Sequence, residues 1–265
     1  MIIGSSEFKN YTYVMAIINL TPDSFYSGSR RTEDDVLFAV ERAIKDGAAI
    51  IDLGAQSTRP GYVEVSPEEE VRRFEKPLAM IKERFDIPVS VDTYFAHSAR
   101  AALMLGADMI NDIWGLTYDS DMASVIAEFD AAACLMHNSK EQLRGDIFTP
   151  ILDFLKNSIK KAIDAGIDKN KICIDGGIGF AKDAMQNHEL LNGYEKLNVL
   201  GYPTLLGCSR KSMFGGRAED RLEATLDATR SAVNKGVLFV RVHDVKENFE
   251  AIERAYERVK REYDA

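Results

Sequence analysis

The chain has 265 residues, 46% of them hydrophobic and 28% charged, with 33 Lys+Arg against 42 Asp+Glu for a formal net charge of −9. That apolar share is enough for a sizeable core and excludes disorder as the default, while an acidic chain lacks the electrostatic footprint of a nucleic-acid binder. The longest apolar runs, at 14–18 and 131–136, fall far short of the roughly 18 residues that span a bilayer, so no membrane partner is expected.

The amino terminus, MIIGSSEFKNYTY, has no basic start, no apolar stretch of signal-peptide length and no small-residue cleavage site, which points to a cytoplasmic protein. From there β-branched runs alternate with amphipathic stretches along the whole chain. Strands are predicted at 13–19, 50–54, 89–93, 109–113, 134–137, 172–176, 204–209 and 238–243. Helices are predicted at 33–46, 67–85, 95–105, 121–129, 151–165, 183–197, 221–234 and 245–263. Thr32 with Asp35 and the pair Asp46-Gly47 bracket the first helix, and Ser66-Pro67 with Glu69 opens the second. Eight βα units without a linker or a composition shift predict one α/β domain over residues 1–265, a (β/α)8 TIM barrel, with a doubly wound open sheet as the alternative. Cys134, Cys173 and Cys208 each sit inside an apolar segment and read as buried free thiols.

A barrel displays its chemistry on the loops at the carboxyl ends of its strands. Those ends carry, in order, Asn19; Gln56-Ser57-Thr58-Arg59; Asp92-Thr93; Asn111-Asp112; His137-Asn138; Asp175; Ser209-Arg210-Lys211; and Arg241, His243 and Asp244. Any one of these would ordinarily be a helix cap, but capping does not explain all of them at one mouth. Asp92 and Asp175 each close a nearly continuous apolar run, and a buried carboxylate needs donors. A heterocycle with a ring N–H beside an amino group would supply them, and the Asn111 amide could read its other edge. Arg59, Arg210, Lys211 and Arg241, with Ser209 and His243 beside them, could meet phosphate. The run Gly176-Gly177-Ile178-Gly179 has neither the ending of a P-loop nor the spacing of a dinucleotide fingerprint. His97, His137, His188 and His243 show no zinc-ligand spacing, whereas a Mg2+ shared with substrate phosphates needs only one or two protein oxygens. The expected partners are small-molecule substrates.

Eight strings then become specific: MAIINLTPDSF (15–25), IIDLGAQSTRPG (50–61), VSVDTY (89–94), GADMINDIWG (106–115), LMH (135–137), IDGGIGFAK (174–182), LLGCSRKS (205–212) and VRVHDVKE (240–247). In this order they resemble the dihydropteroate synthase family, which shares the barrel. The resemblance implies condensation of 6-hydroxymethyl-7,8-dihydropterin pyrophosphate with p-aminobenzoate, giving dihydropteroate and pyrophosphate for folate synthesis. It implies that Asp92, Asn111, Asp175 and Lys211 hold the pterin, with Met136, Phe180 and Gly207 lining the pocket. Asn19 would contact Mg2+, and Arg241 and His243, with Ser209, would receive the pyrophosphate. The loops at 21–25 and 57–61 would complete the p-aminobenzoate site, with Thr58 and Arg59 on the second and Lys211 and Ser212 on its border. Asp92, Arg59, Thr58 and Lys211 would serve catalysis, and a homodimer is implied.

Three positions depart from the family pattern. Gly176 replaces a proline and is expected to loosen Asp175; Asn138 leaves one apolar group of the pocket unaccounted for; Gln56 replaces a glutamate and removes a charge. Two alternatives share the pterin residues: a methyl-tetrahydrofolate methyltransferase domain, which is not expected to carry the STRPG and SRKS segments, and a pterin-binding paralogue without turnover.

Overall fold

The structure is a computed structural model that describes residues 1–20, 31–56 and 64–263, with side chains 31–33 and 259–263 left aside. Ten strands are described: β1 (Ile2–Ile3), β2 (Ser6–Glu7), β3 (Tyr13–Asn19), β4 (Ala48–Gly54), β5 (Val89–Asp92), β6 (Met109–Asp112), β7 (Ala132–Met136), β8 (Ile172–Asp175), β9 (Leu205–Leu206) and β10 (Phe239–Val242). The helices are α1 (Arg31–Lys45), α2 (Pro67–Arg84), α3 (Ala96–Met104), α4 (Met122–Glu128), α5 (Phe148–Asp164), α6 (Ala184–Asn192), α7 (Leu222–Asn234) and α8 (Val245–Tyr263). Eight strands pair in the order β8-β7-β6-β5-β4-β3-β10-β9, and a parallel bridge from Ile174 to Thr204 joins the two ends. The sheet is therefore the barrel predicted from the βα alternation, and the open sheet is excluded.

Along the barrel strands the side chains alternate between an outer layer against the helices and the barrel interior, as a period of two demands. Val14, Ala16, Ile51, Leu53, Val89, Val91, Ile110, Ala133, Leu135, Ile172, Ile174 and Val240 pack with helix residues such as Val40, Phe74, Leu78, Ile151, Leu155 and Ile252. Met15, Ile50, Met109, Ala132, Cys134, Cys173, Leu205 and Phe239 form a separate cluster inside the barrel. Cys134 and Cys173 are neighbours across the β7–β8 ladder, and all three cysteines are free and buried. The β1–β2 hairpin, which periodicity does not reveal because its strands are two residues long, brings Ile3 and Phe8 into the inner cluster as a floor.

Helix boundaries follow local chemistry. Ser66 accepts from the Glu69 N–H at 3.2 Å and caps α2, with Pro67 in its first turn. Helix α5 starts three residues before the predicted 151, because the Asp146 carboxylate accepts from Phe148 N at 3.0 Å, and Pro150 in the first turn lacks only a donor that would be unpaired there. Helix α6 opens on a reciprocal Asp183–Gln186 cap but ends at Asn192, not 197; a 3-10 segment, Tyr194–Leu200, follows and turns Tyr194 into the interior.

Phe8 is 5% exposed and meets the rings of Tyr13 and Phe239 edge-on at 4.9 and 5.2 Å. Phe8→Ala should lower unfolding free energy by about 3–5 kcal/mol, read as a fall in the urea midpoint at constant m-value. Ligand affinity at the opposite end of the barrel should be unchanged.

Candidate active site

The inward phase that fills the floor with methionine, cysteine and phenylalanine continues upward into polar residues. Two residues above Met109 stands Asn111, two above Cys134 is Met136, two above Cys173 is Asp175, and two above Phe239 is Arg241. On β4 the inward positions run Ile50, Asp52, Gly54, and on β5 they are Ser90 and Asp92. Asn19, Asp92, Asn111, Asp175 and Arg241 thus share one mouth, as the strand ends predicted, and Gly207, which the resemblance implied, lies beside Asp175. Asp112 is in the outward phase; its carboxylate accepts from Trp114 N at 2.8 Å and Leu116 N at 2.7 Å, so both of its oxygens are spent on the following turn.

Arg241 organises one side. Its Nε donates to Asp52 Oδ2 at 2.6 Å and its Nη2 to Asp92 Oδ2 at 2.7 Å. Burial pushes the Asp92 carboxyl up to about 7; Arg241 pulls against that shift, while Asp52, Glu70 and Asp112 add to it. Burial also works against the Arg241 charge, but the two carboxylates outweigh it and hold the guanidinium ionised. Behind Asp92, the Thr93 hydroxyl donates to Glu70 Oε2 at 2.6 Å, and Glu70 is itself buried in α2.

Asp175 is fixed on the other side. Its Oδ1 accepts from Gly177 N at 2.7 Å and from the Tyr194 hydroxyl at 3.0 Å. At the position where the family has proline, Gly176 N donates to the same Tyr194 hydroxyl at 3.1 Å, a bond that proline cannot make. Oδ2 has no donor among the described residues, and a Cβ at Gly207 would stand 3.5 Å from it, in front of its open side. Burial raises the Asp175 carboxyl above its ordinary range. Asn111 is buried, and its amide has no partner among the described residues.

The β8 loop closes over this edge. Gly177 has φ +72°, and a Cβ there would lie 2.0 Å from the His137 carbonyl oxygen, so only glycine fits. Lys182 Nζ reaches the carbonyl oxygens of Gly177 and Phe180 at 3.0 and 2.9 Å and His137 Nδ1 at 3.0 Å. Burial brings the Lys182 ammonium down to about 7 and the His137 imidazole down to about 3, the latter with help from Lys182. Lys211 donates to the Ile178 carbonyl and lies 4.6 Å over the Phe180 ring; burial lowers it to about 8 against the pull of Asp175. Met136 packs with Tyr94, Phe95 and Ile113, and Trp114 and Phe180 close the cluster. Asn138 turns its Oδ1 to Ser139 N at 2.8 Å and adds no apolar surface.

Ser209 Oγ accepts from the backbone N–H of His243 at 3.2 Å and sits 3.0 Å from His243 Nδ1, a hydrogen bond in which either atom can be the donor. Ser212 is exposed just beyond Lys211. Arg210, read from the sequence as a phosphate-facing cation, has φ +55° and forks instead onto Asp244, with Nε to Oδ2 at 2.8 Å. Gln56 donates to the Tyr94 hydroxyl at 2.6 Å and Tyr94 donates to Glu64 at 3.0 Å, so the amide retains a partner where the family has a charge. Thr58, Arg59 and the two loops at 21–25 and 57–61 lie outside the described residues. Strand-end reading missed Asp52, Tyr194 and Lys182; the alternation in IIDLG would have found Asp52, one inward step below Gly54.

Among the described residues no group of three or more His, Cys, Asp or Glu could hold a metal ion, and no helix is long and apolar enough to cross a membrane. Asn19 ends β3 beside Gly54, where a Cβ would stand 3.4 Å from Asn19 Oδ1, and that oxygen has no donor among the described residues. One free amide oxygen suits a Mg2+ that takes its other oxygens from water and substrate phosphates.

Residues 15–243 match the family model described as pterin binding enzyme. A dihydropteroate synthase of Clostridium beijerinckii is 48% identical over 95% of this chain and 96% of its own length. A dihydropteroate synthase from Clostridium difficile, solved in the presence of pteroic acid, superposes with a TM-score of 0.91 at 44% identity over 94% of this chain and 97% of that one. The Xanthomonas albilineans dihydropteroate synthase with 4-aminobenzoic acid gives 0.88 at 34% identity, covering 94% of this chain and 93% of that one. With its barrel, its inward acids and these relatives, the chain belongs to the pterin-binding enzymes, in the dihydropteroate synthase family.

Proposed function

We propose that this chain is a dihydropteroate synthase that joins the methylene carbon of 6-hydroxymethyl-7,8-dihydropterin pyrophosphate to the amine of p-aminobenzoate. The observation that carries the reading is the pair of open polar edges two strands apart in the mouth, on β8 and β6: Asp175 Oδ2 and the Asn111 amide, each on a buried residue and without a partner among the described residues. A flat heterocycle with donors on one edge and acceptors on another satisfies both. Met136, Phe180 and the stem of Lys211 would cover its faces, and Gly207 leaves room for its edge.

The C–O bond to pyrophosphate breaks with its electron pair leaving on the anion, and the amine lone pair then forms the C–N bond and loses one proton to solvent. No side-chain nucleophile is needed, because the amine is already nucleophilic. Positive charge that develops on the methylene and spreads into the ring is stabilised by ionised Asp92. Arg241 and His243 would take the departing charge, and Ser209 holds the imidazole through its Nδ1. Asn19 would hold Mg2+, which when bound neutralises phosphate charge. Thr58, Arg59 and Ser212 are assigned to the p-aminobenzoate side.

Asp175→Ala removes one partner of a bidentate, charge-assisted pair. Affinity for a pterin analogue without pyrophosphate should fall at least about tenfold, since such bonds contribute roughly 1.5–3 kcal/mol each. Unchanged affinity in a calorimetric titration would take Asp175 out of the site. If the anion pocket must be filled first, p-aminobenzoate should bind weakly to the free protein and well with pyrophosphate and Mg2+ present; tight binding to the free protein contradicts this order. Arg59→Ala should strongly lower the rate of pyrophosphate release and leave analogue affinity nearly intact. Full turnover in that variant would return Arg59 to a solvated loop charge, and no release by the wild type would favour a binder without turnover.

A further inference from the structure

The proposed chemistry leaves one acid of the mouth without a task. Asp52 is fully buried, faces the barrel interior one step below Gly54, and gives one oxygen to Arg241 Nε at 2.6 Å. Its other oxygen, Oδ1, is buried with no hydrogen-bond partner among the described residues, and so is the hydroxyl of Ser90, its register neighbour on β5. A carboxylate taken out of water with half of its acceptors unused is costly. Hydrophobic residues line the layer below it, so packing alone does not call for an acid at this height.

What Asp52 does is set the aim of Arg241. A guanidinium is a rigid plane with five N–H donors. The Nε edge is taken by Asp52 and Nη2 is on Asp92 at 2.7 Å. Among the described residues Nη1 has no acceptor, while the side chain keeps 21% of its surface exposed. With only Asp92 to hold it, the group could pivot about that single contact; with two carboxylates at two corners of the plane, the third corner points one way.

On the reading that the chain is a synthase, we propose that Asp52 is a positioning residue: it grips Arg241 by the Nε edge, keeping Nη2 on Asp92 and presenting the Nη1 edge to the departing pyrophosphate. The same contact makes the cluster unequal in charge, two carboxylates to one guanidinium. The excess negative charge sits beside Asp92, where the cationic methylene would form.

The test is Asp52→Asn, which keeps the shape and removes the charge. The rate of pyrophosphate release at saturating substrates should fall by about 100-fold, the scale of a misplaced catalytic group, while affinity for a pterin analogue without pyrophosphate stays within about twofold. The charged groups facing Asp92 are Arg241, Asp52, Glu70, Asp112 and Lys211. Without the Asp52 charge, Arg241 keeps Asp92 ionised to lower pH, so the acid limb of the kcat profile should move to lower pH. A purely structural role would depress stability and both quantities together and leave that limb in place. Should the Asn variant not fold, Asp52→Glu keeps the charge but pushes the guanidinium forward by one methylene, and should lose turnover with analogue binding preserved. Full turnover in either variant, or an unmoved acid limb in the Asn variant, overturns the proposal. Absence of pyrophosphate release by the wild type would instead refute the synthase reading on which it rests.

Discussion

A strand in a closed parallel barrel has only two faces, and every second residue must point into a lumen that water does not fill. That constraint accounts for most of this molecule. It forces Met15, Met109, Cys134, Cys173 and Phe239 into a packed floor and carries the same register upward to Asp92, Asn111, Asp175 and Arg241. Polar groups gather in the upper half of the interior, toward the strand ends, where most of them meet hydrogen bonds or could meet a ligand. The side chains of one ring therefore converge although they come from strands far apart in the chain.

Convergence brings a charge problem that the protein answers locally. Acids drawn from water rise in pKa and lysines fall, as Asp92, Asp175, Lys182 and Lys211 do. Each is held by a short connection to a neighbouring element: Arg241 on β10 for Asp92, Tyr194 after α6 for Asp175, and loop carbonyls for both lysines. The site is stiff where the pterin would sit. Its open atoms, Asp175 Oδ2 and the Asn111 amide, are those that a ligand could satisfy.

The barrel and the ring of strand-end residues were legible because both are written in period two, with caps and Gly or Pro marking the joints. Asp112 shows the limit of reading ends without phase, since it sits one residue from Asn111 and faces the other way. Arg210 was misplaced because its positive φ, unusual for a residue with a Cβ, swings the guanidinium away from the mouth to Asp244. Tyr194 was hidden in a stretch that reads as continuous helix until Gly193 breaks it. The departures at Gly176 and Gln56 are absorbed by contacts from distant residues, Tyr194 and Tyr94, and local pattern carries no trace of those.

The hairpin floor has a different kind of consequence. Ile3 and Phe8 seal the barrel at the end opposite the acids, so cohesion and chemistry are drawn from separate ends of the same eight strands. Substitutions that tighten the floor can then compensate for costly changes in the mouth without touching a ligand. Such a chain can explore new loop sequences at the open end while its lower half serves as a reserve of tolerance, and lineages of this fold would be expected to vary more freely where that reserve is large.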